Sequence, residues 1–180
     1  MDSMIRPSLL QCCALLRFTA PRSFMPSRPT LRRTVRCATP LRSIPHRVQI
    51  TRHDCVEGWS AIAKWHGLQL SRILDQAGLS TRAKYIVFHC ADRFGDKPYY
   101  ESIDLVDAFH PQTIIAWGMN GHLLPVPNGA PLRLRAERQL GYKQAKYIQR
   151  IEAVDSLASV YGGKGGYWED NVDYEWYAGI

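Results

Sequence analysis

Residues 113–125 read TIIAWGMNGHLLP, and this stretch decides the class of fold. A run of β-branched and apolar residues leads to Asn120-Gly121, a dipeptide that strongly favours a two-residue turn between antiparallel strands. Apolar residues follow the turn and supply the returning strand. The stretch therefore predicts a β-hairpin in the second half of the chain.

Strand and helix patterns precede this hairpin. Residues 47–51 and 84–90 are rich in β-branched and apolar side chains and predict strands. Between them, apolar residues recur at helical spacing over residues 68–77, and Gly78 follows as a stop signal. A short helix or turn is predicted over residues 102–109, before a proline.

The patterns after the hairpin complete the fold prediction. Residues 131–135 and 145–154 predict two more strands, and the glycines of residues 162–166 predict a loop. Strands and helices in this order, with no internal repeat, indicate the α+β class with a mixed β-sheet. We expect the folded domain to span residues 47–180.

The positive charge is concentrated at the start of the chain. The net charge is +7, yet residues 1–53 alone hold ten Arg, no Lys and one acid, Asp2. Residues 1–46 also lack apolar periodicity, so we predict a disordered or unrelated leader: a transit peptide, a degraded export signal or coding sequence foreign to the domain. The rest is near neutral, which argues against nucleic-acid binding. The apolar run over residues 9–16 is too short for a transmembrane helix.

The densest group of reactive side chains lies at residues 51–60. It includes Arg52, His53 and Cys55. Neighbouring basic groups favour the thiolate of a cysteine, and a thiolate suits a soft or high-valent transition metal. The alternative is an inert thiol in a charged loop. Cys90, the other cysteine of the domain, could be buried or could pair with Cys55 in a disulfide.

A second group of residues predicts a site for an anion. The sequence NGAPLR at residues 128–133 places an arginine after a glycine turn, and GYKQAK at residues 141–146 places two lysines three positions apart. Arginine and lysine donors beside a glycine turn can surround a phosphate. The alternative is the solvated basic end of a hairpin.

These segments together resemble a known family. The sequences CVEGWS at 55–60, WHGL at 65–68 (read as the entry to a helix), NGHLLP at 120–125, NGAPLR at 128–133 and GYKQAK at 141–146 are similar to motifs of the oxidoreductase molybdopterin-binding domain of the sulfite oxidase superfamily. The similarity is closer to the bacterial branch that contains the periplasmic methionine sulfoxide reductase catalytic subunit. It covers about residues 47–180.

The resemblance implies a fold, a cofactor and an activity. The fold would be the sulfite-oxidase-type molybdopterin-binding fold, and the cofactor molybdenum-molybdopterin. The activity would be oxygen-atom transfer to or from a small substrate such as sulfite or a sulfoxide, with a haem protein as redox partner and the periplasm as location. Family members have a further segment before the motif cysteine, where this chain has its Arg-rich leader. The alternative is therefore a truncated, non-catalytic domain that keeps the fold without the cofactor.

The resemblance also implies roles for single residues. Cys55 would ligate molybdenum, with Arg52 and His53 beside it in the catalytic site. The other expected cofactor contacts are Cys90, Asn128, Arg133, Lys143, Gln144, Ala145 and Lys146.

Overall fold

Two β-sheets and three short helices form the part of the chain that the computed structural model describes, residues 44–180. The strands are β1 (His46–Asp54), β2 (Ser60–Gln69), β3 (Tyr85–Phe94), β4 (Lys97–Asp104), β5 (Ile114–Met119), β6 (His122–Leu123), β7 (Arg133–Arg135) and β8 (Ile148–Val154). The helices are α1 (Leu70–Ala77), α2 (Leu105–Ala108) and α3 (Tyr167–Val172). Within these residues, no helix has the length and apolarity needed to cross a membrane.

The first sheet carries the predicted hairpin. Its strands run in the order β1-β2-β5-β6, and β7 pairs with β5 on the same edge as β6. Asn120 and Gly121 have φ angles of +53° and +86°, the left-handed backbone that this tight turn requires. The hairpin prediction is therefore confirmed.

The second sheet has the order β4-β3-β8 and packs on the first. Apolar side chains from both sheets and from α1 meet in one large core, which includes Leu68, Leu74, Phe88, Ile115 and Ile151. A smaller cluster surrounds Trp65 under β5 and the loop after β6. The site described below lies next to this smaller cluster.

The amphipathic helix is confirmed, but it begins later than predicted. Leu70, Ile73, Leu74 and Ala77 are its buried residues, and Gly78 ends it with φ of +68°. Residues 68 and 69 instead belong to β2, which pairs with β5 up to Gln69. Pairing with β5 extends β2 at the expense of the helix, and a local sequence pattern does not show that pairing.

Two strands were not predicted, and for different reasons. The outer half of β2 is solvent-exposed and has no apolar alternation. In β4, five consecutive residues from Tyr99 to Ile103 are buried, so both faces are covered and no alternation is visible. The predicted helix over residues 102–109 shortens to α2 because residues 102–104 complete β4; Asp104 then caps α2 by accepting a hydrogen bond from Asp107 N (2.8 Å).

The α+β class is confirmed, but the sheets are not mixed. Every ladder among residues 44–180 is antiparallel. Hairpins and short loops join most consecutive strands, and parallel pairs need long crossovers. Packed structure begins before the predicted boundary at residue 47, because Ile44 is buried in the main core. The rest of the predicted leader, residues 1–43, lies outside the described residues.

Candidate functional site

Cys55 lies in the tight turn that joins β1 to β2. Hydrogen bonds from Cys55 N to Trp59 O (2.9 Å) and from Gly58 N to Cys55 O (3.0 Å) close the turn. Its partly exposed thiol lies 3.9 Å from Glu57 Oε2. The hairpin therefore presents a thiol that a second molecule can reach.

His53, at the end of β1, connects this turn to β7. Its Nδ1 atom lies 2.7 Å from Arg135 Nη1, which can only donate, so Nδ1 accepts the hydrogen bond. Trp59 packs beside the ring, with 5.7 Å between the ring centroids. Burial, followed by the charges of Arg135 and Arg133, lowers the pKa of His53 to about 4. A neutral His53 therefore joins the Cys55 turn to the arginines of β7.

Arg52 has a different environment from its neighbour. Its side chain is 67% exposed, and its Nε donates to Asp54 Oδ2 at 2.9 Å. The two residues proposed to flank Cys55 thus point to opposite faces of β1. Only His53 faces the interior of the site.

Arg133 and Arg135 lie on the same face of β7 and against the same indole. Their guanidinium carbons are 5.0 Å and 4.5 Å from the ring centroid of Trp65. Both arginines are buried, with 5% and 0% of their surface exposed. Cations can stack favourably on an indole face, so Trp65 organises both side chains.

The two segments of the predicted anion site meet in the structure. Leu134 N donates to Ala145 O at 2.8 Å, and Tyr147 N donates to Gly129 O at 3.2 Å. Gly129 packs so closely that a Cβ there would lie 2.9 Å from Lys146 Cβ. The arginine turn and the lysine loop therefore form one unit, which we call the anion cradle: residues 128–133 with residues 144–147.

Positive groups dominate this cradle. Arg133 Nη1 donates to Asn128 O (2.9 Å), and Lys146 Nζ donates to Pro127 O (3.0 Å). Burial, followed by the charge of Arg133, lowers the pKa of Lys146, while Asp92 acts in the opposite direction. Burial and the charge of Arg135 lower the pKa of Arg133 to about 9. A bound anion would offset this repulsion.

Lys143, which the resemblance placed at the cofactor, is turned into the protein. Its Nζ lies 2.9 Å from Glu101 Oε2 and 2.5 Å from Glu169 Oε1, and 1% of its side chain is exposed. Two buried carboxylates hold this ammonium group, because a buried cation needs opposite charge close by. Lys143 therefore does not belong to the anion cradle.

The remaining predicted contacts are buried as well. Gln144 Nε2 donates to Gln139 O (3.0 Å), and Ala145 contributes its backbone to the cradle while its side chain lies in the main core. Cys90 also packs in that core, and burial raises the pKa of its thiol. Both cysteines of residues 44–180 are free thiols, so the disulfide alternative is wrong.

Trp65 and Arg135 complete the site, although neither was predicted as a site residue. The alternation Arg133-Leu134-Arg135 places both arginines on one face of a strand, a signal that could have identified Arg135. Trp65 belongs to the motif WHGL, which was predicted to enter a helix but lies in β2; its contact with the arginines was not predictable, because they come from a strand about 70 residues away.

A separate polar cavity of about 410 Å³ lies beside β8. His89 lines it, with Nε2 2.9 Å from Glu152 Oε2 and Nδ1 3.0 Å from the Tyr161 hydroxyl. Arg150 Nη1 donates to the same Glu152 oxygen at 2.6 Å. These residues belong to none of the sequence motifs; their contacts hold the loop after β8 against β3.

Comparison with known proteins identifies the family. Residues 21–161 match the sequence profile of the oxidoreductase molybdopterin binding domain. The chain belongs to this family. The match includes the anion cradle and the Cys55 turn, and it begins within the predicted leader.

Relatives of the family agree with this assignment. A protein of Azospira oryzae that carries the name of a protein-methionine-sulfoxide reductase subunit, YedZ1, is 44% identical over 139 residues, which are 77% of this chain and 48% of that protein. The protein-methionine-sulfoxide reductase catalytic subunit MsrP of Xanthomonas campestris pv. campestris is 37% identical over 127 residues, covering 65% of this chain and 39% of MsrP. The chain therefore spans about half, or less, of the length of these relatives.

A solved structure shows the same fold. The crystal structure of the sulfane dehydrogenase SoxCD from Paracoccus pantotrophus matches 66% of this chain and 34% of its own, with a TM-score of 0.58 and 20% sequence identity. The sulfite-oxidase-type fold implied by the sequence motifs is thereby confirmed.

The donor groups of the site fit the cofactor of this family. Arg133 Nε is buried and has no hydrogen-bond partner among residues 44–180, which leaves a donor for an oxyanion. No group of three or more His, Cys, Asp or Glu side chains in the described part of the chain could hold a metal ion.

Proposed function

We propose that this domain binds molybdenum-molybdopterin and catalyses oxygen-atom transfer. The observation that carries the proposal is the connection between an accessible thiol and an anion cradle: Cys55 lies two residues from His53, which bonds Arg135, which shares the Trp65 ring with Arg133. One end of the site offers a soft metal ligand and the other offers donors for a phosphate.

Different residues of the chain would bind different parts of the cofactor. Cys55 would ligate the metal, and Arg133 and Lys146 would bind the terminal phosphate. Asn128 fixes Arg133 through its carbonyl; Ala145 holds the lysine loop against β7, and Gln144 holds it against the segment that follows β7. When bound, the cofactor would supply the redox chemistry and the oxygen transfer, and the protein would supply position and access.

The substrate that we propose is a sulfoxide, because the relatives named above are protein-methionine-sulfoxide reductase subunits. Reduction of a sulfoxide consumes two electrons and two protons and yields a thioether and water. An electron source must therefore deliver two electrons per turnover, and we propose that it does so in single steps. We propose a haem protein for that role and the periplasm for the location.

The proposal is tested by metal and pterin analysis of the full chain. Cys55→Ser removes the soft ligand, so molybdenum content and sulfoxide-reducing turnover should both fall to near background. Cys37→Ser makes the same exchange outside the described residues and should leave both unchanged. Full molybdenum content and turnover in Cys55→Ser would overturn the assignment of Cys55.

A second measurement separates the enzyme from a domain that has kept only the fold. Acid oxidation of the purified chain should release a fluorescent pterin in the same molar amount as molybdenum. A well-folded chain with neither component, produced in a host that makes the cofactor, would contradict the proposed function itself.

A further inference from the structure

Arg133 and Arg135 occupy equivalent positions on β7, but their donors are used differently. Arg135 donates through Nε and Nη2 to Glu137 (3.1 and 2.7 Å), through Nη1 to His53 Nδ1 (2.7 Å) and through Nη2 to Arg52 O (3.2 Å). Arg133 forms no ion pair with the described residues and has a single hydrogen bond, to Asn128 O. Its Nε has no partner among them.

Trp65 carries a second unused donor at the same place. Its side chain is 3% exposed, and its Nε1 has no hydrogen-bond partner in the described part of the chain. Buried indole N–H groups usually find an acceptor. Here the ring lies 5.0 Å from the guanidinium carbon of Arg133, the arginine that is also short of acceptors.

The surroundings favour an anion as the missing acceptor. Lys146 is close enough for Arg133 to lower its pKa, so the two cations repel each other. Ala130, in the turn of the cradle, packs on the cluster that contains Trp65. A neutral acceptor would satisfy the N–H groups but not the charge, whereas one oxyanion would do both.

We propose that Trp65 is a binding residue of the anion cradle, and that its indole N–H donates to the same oxyanion that Arg133 and Lys146 hold. The inference rests on the proposed function, because it assigns Trp65 to the phosphate end of that site. It also gives one tryptophan two roles: the ring contacts both cations, and its N–H contributes to binding.

The test uses the full chain produced without cofactor, and inorganic phosphate as the probe. Binding is measured by calorimetry at constant ionic strength, with chloride as the reference anion. Trp65→Phe keeps an aromatic ring and removes the N–H, and should weaken phosphate binding about tenfold, the effect of one hydrogen bond to a charged group. Arg133→Gln should weaken it by more. Trp168→Phe, on α3, should bind like the unaltered chain.

A second readout follows the hydrogen bond itself. In proton–nitrogen correlation spectra the chain gives five indole signals, one for each tryptophan. The signal that disappears in Trp65→Phe should move downfield when phosphate is added to the unaltered chain, and the other four should move little. The variant is needed only to assign the signal, because the shift itself is measured on the unaltered chain.

The outcomes separate the inference from the proposed function. If Arg133→Gln abolishes phosphate binding while Trp65→Phe binds normally and the Trp65 signal stays in place, the inference is wrong and the cradle stands. If neither substitution changes phosphate binding, the cradle is not an anion site, and the inference falls with that part of the proposed function.

Discussion

Two lysines, three residues apart in sequence, have opposite charge environments: Lys143 is buried and Lys146 is half-buried. In the anion cradle, Lys146 and Arg133 lie together, with Asp92 as a nearby carboxylate. In the core, Lys143 contacts two carboxylates, Glu101 and Glu169; we call these three residues the carboxylate cluster. The first region is short of negative charge, and the second is short of positive charge.

The difference shows how the surplus charge of each region can be neutralised. A surplus of positive charge at a site that opens to ligands can be balanced by a bound anion. A surplus of negative charge in a sealed core can be balanced by a proton. Glu101 and Glu169 each direct an oxygen towards Gly166, and burial raises the pKa of Glu101 well above its ordinary value.

The largest expected effect comes from Lys143→Met. Without the ammonium group, two buried carboxylates face each other unpaired, so unfolding free energy should fall by about 3–5 kcal/mol. Denaturant unfolding measures the change. Lys164→Met removes a lysine from an exposed ion pair with Asp173 and should leave the midpoint nearly unchanged. A small effect at Lys143 would show that the carboxylate cluster does not need its cation.

The next effect is expected from Glu101→Gln, and it depends on pH: it is small near pH 5 and grows as pH rises. Above the ordinary glutamate pKa of 4.5, the unfolded chain releases a proton that the folded state keeps, so unfolding free energy falls as pH rises. The limiting slope is about 1.4 kcal/mol per pH unit. Glutamine cannot titrate, so the variant should lose this component.

The measurement is the unfolding free energy of both chains between pH 5 and pH 8, compared as a difference at each pH. That difference should change steadily in favour of the variant as pH rises. Parallel curves would mean that no proton is retained in the carboxylate cluster.

The smallest expected change in stability is that of Lys146→Met. This variant makes the same exchange as Lys143→Met, but in the anion cradle. Relief of repulsion with Arg133 compensates for the lost hydrogen bond to Pro127 O, so unfolding free energy should change by less than about 1 kcal/mol. Phosphate affinity, measured by calorimetry, should nevertheless drop severalfold. A stability loss as large as that of Lys143→Met would remove the distinction between the regions.

The fold was predictable wherever local chemistry sets the structure. Asn120-Gly121 specifies its own turn, and the apolar spacing before Gly78 specifies α1. Strand β4 was not predictable, because Glu101 and Ser102 are buried there without being apolar. Their burial depends on distant partners, Lys143 for Glu101 and Gly165 O for Ser102, which a local pattern does not contain.

The residues of the site were predictable from the motifs, but which of the basic residues lie in the anion cradle and which in the core was not. The motifs indicated Arg133, Lys143 and Lys146 as equivalent cations, because sequence gives residue type and spacing only. Their separation depends on which side chains β4 and α3 bring to Lys143. The place of Trp65 beside the arginines was not predictable from its motif either, because it depends on contact with β7.

Gly67, two residues after Trp65, restricts which substitutions the site can accept. A Cβ at residue 67 would lie 2.5 Å from Ile115 O, and the pairing of β2 with β5 shifts register between His66 and Gly67. The main chains of β2 and β5 touch there directly, so the spacing between them is set by backbone atoms and not by replaceable side chains. Substitutions in the surrounding core can loosen the packing without moving the indole, whereas the glycine itself has no substitute that preserves the alignment of Trp65 with its two arginines.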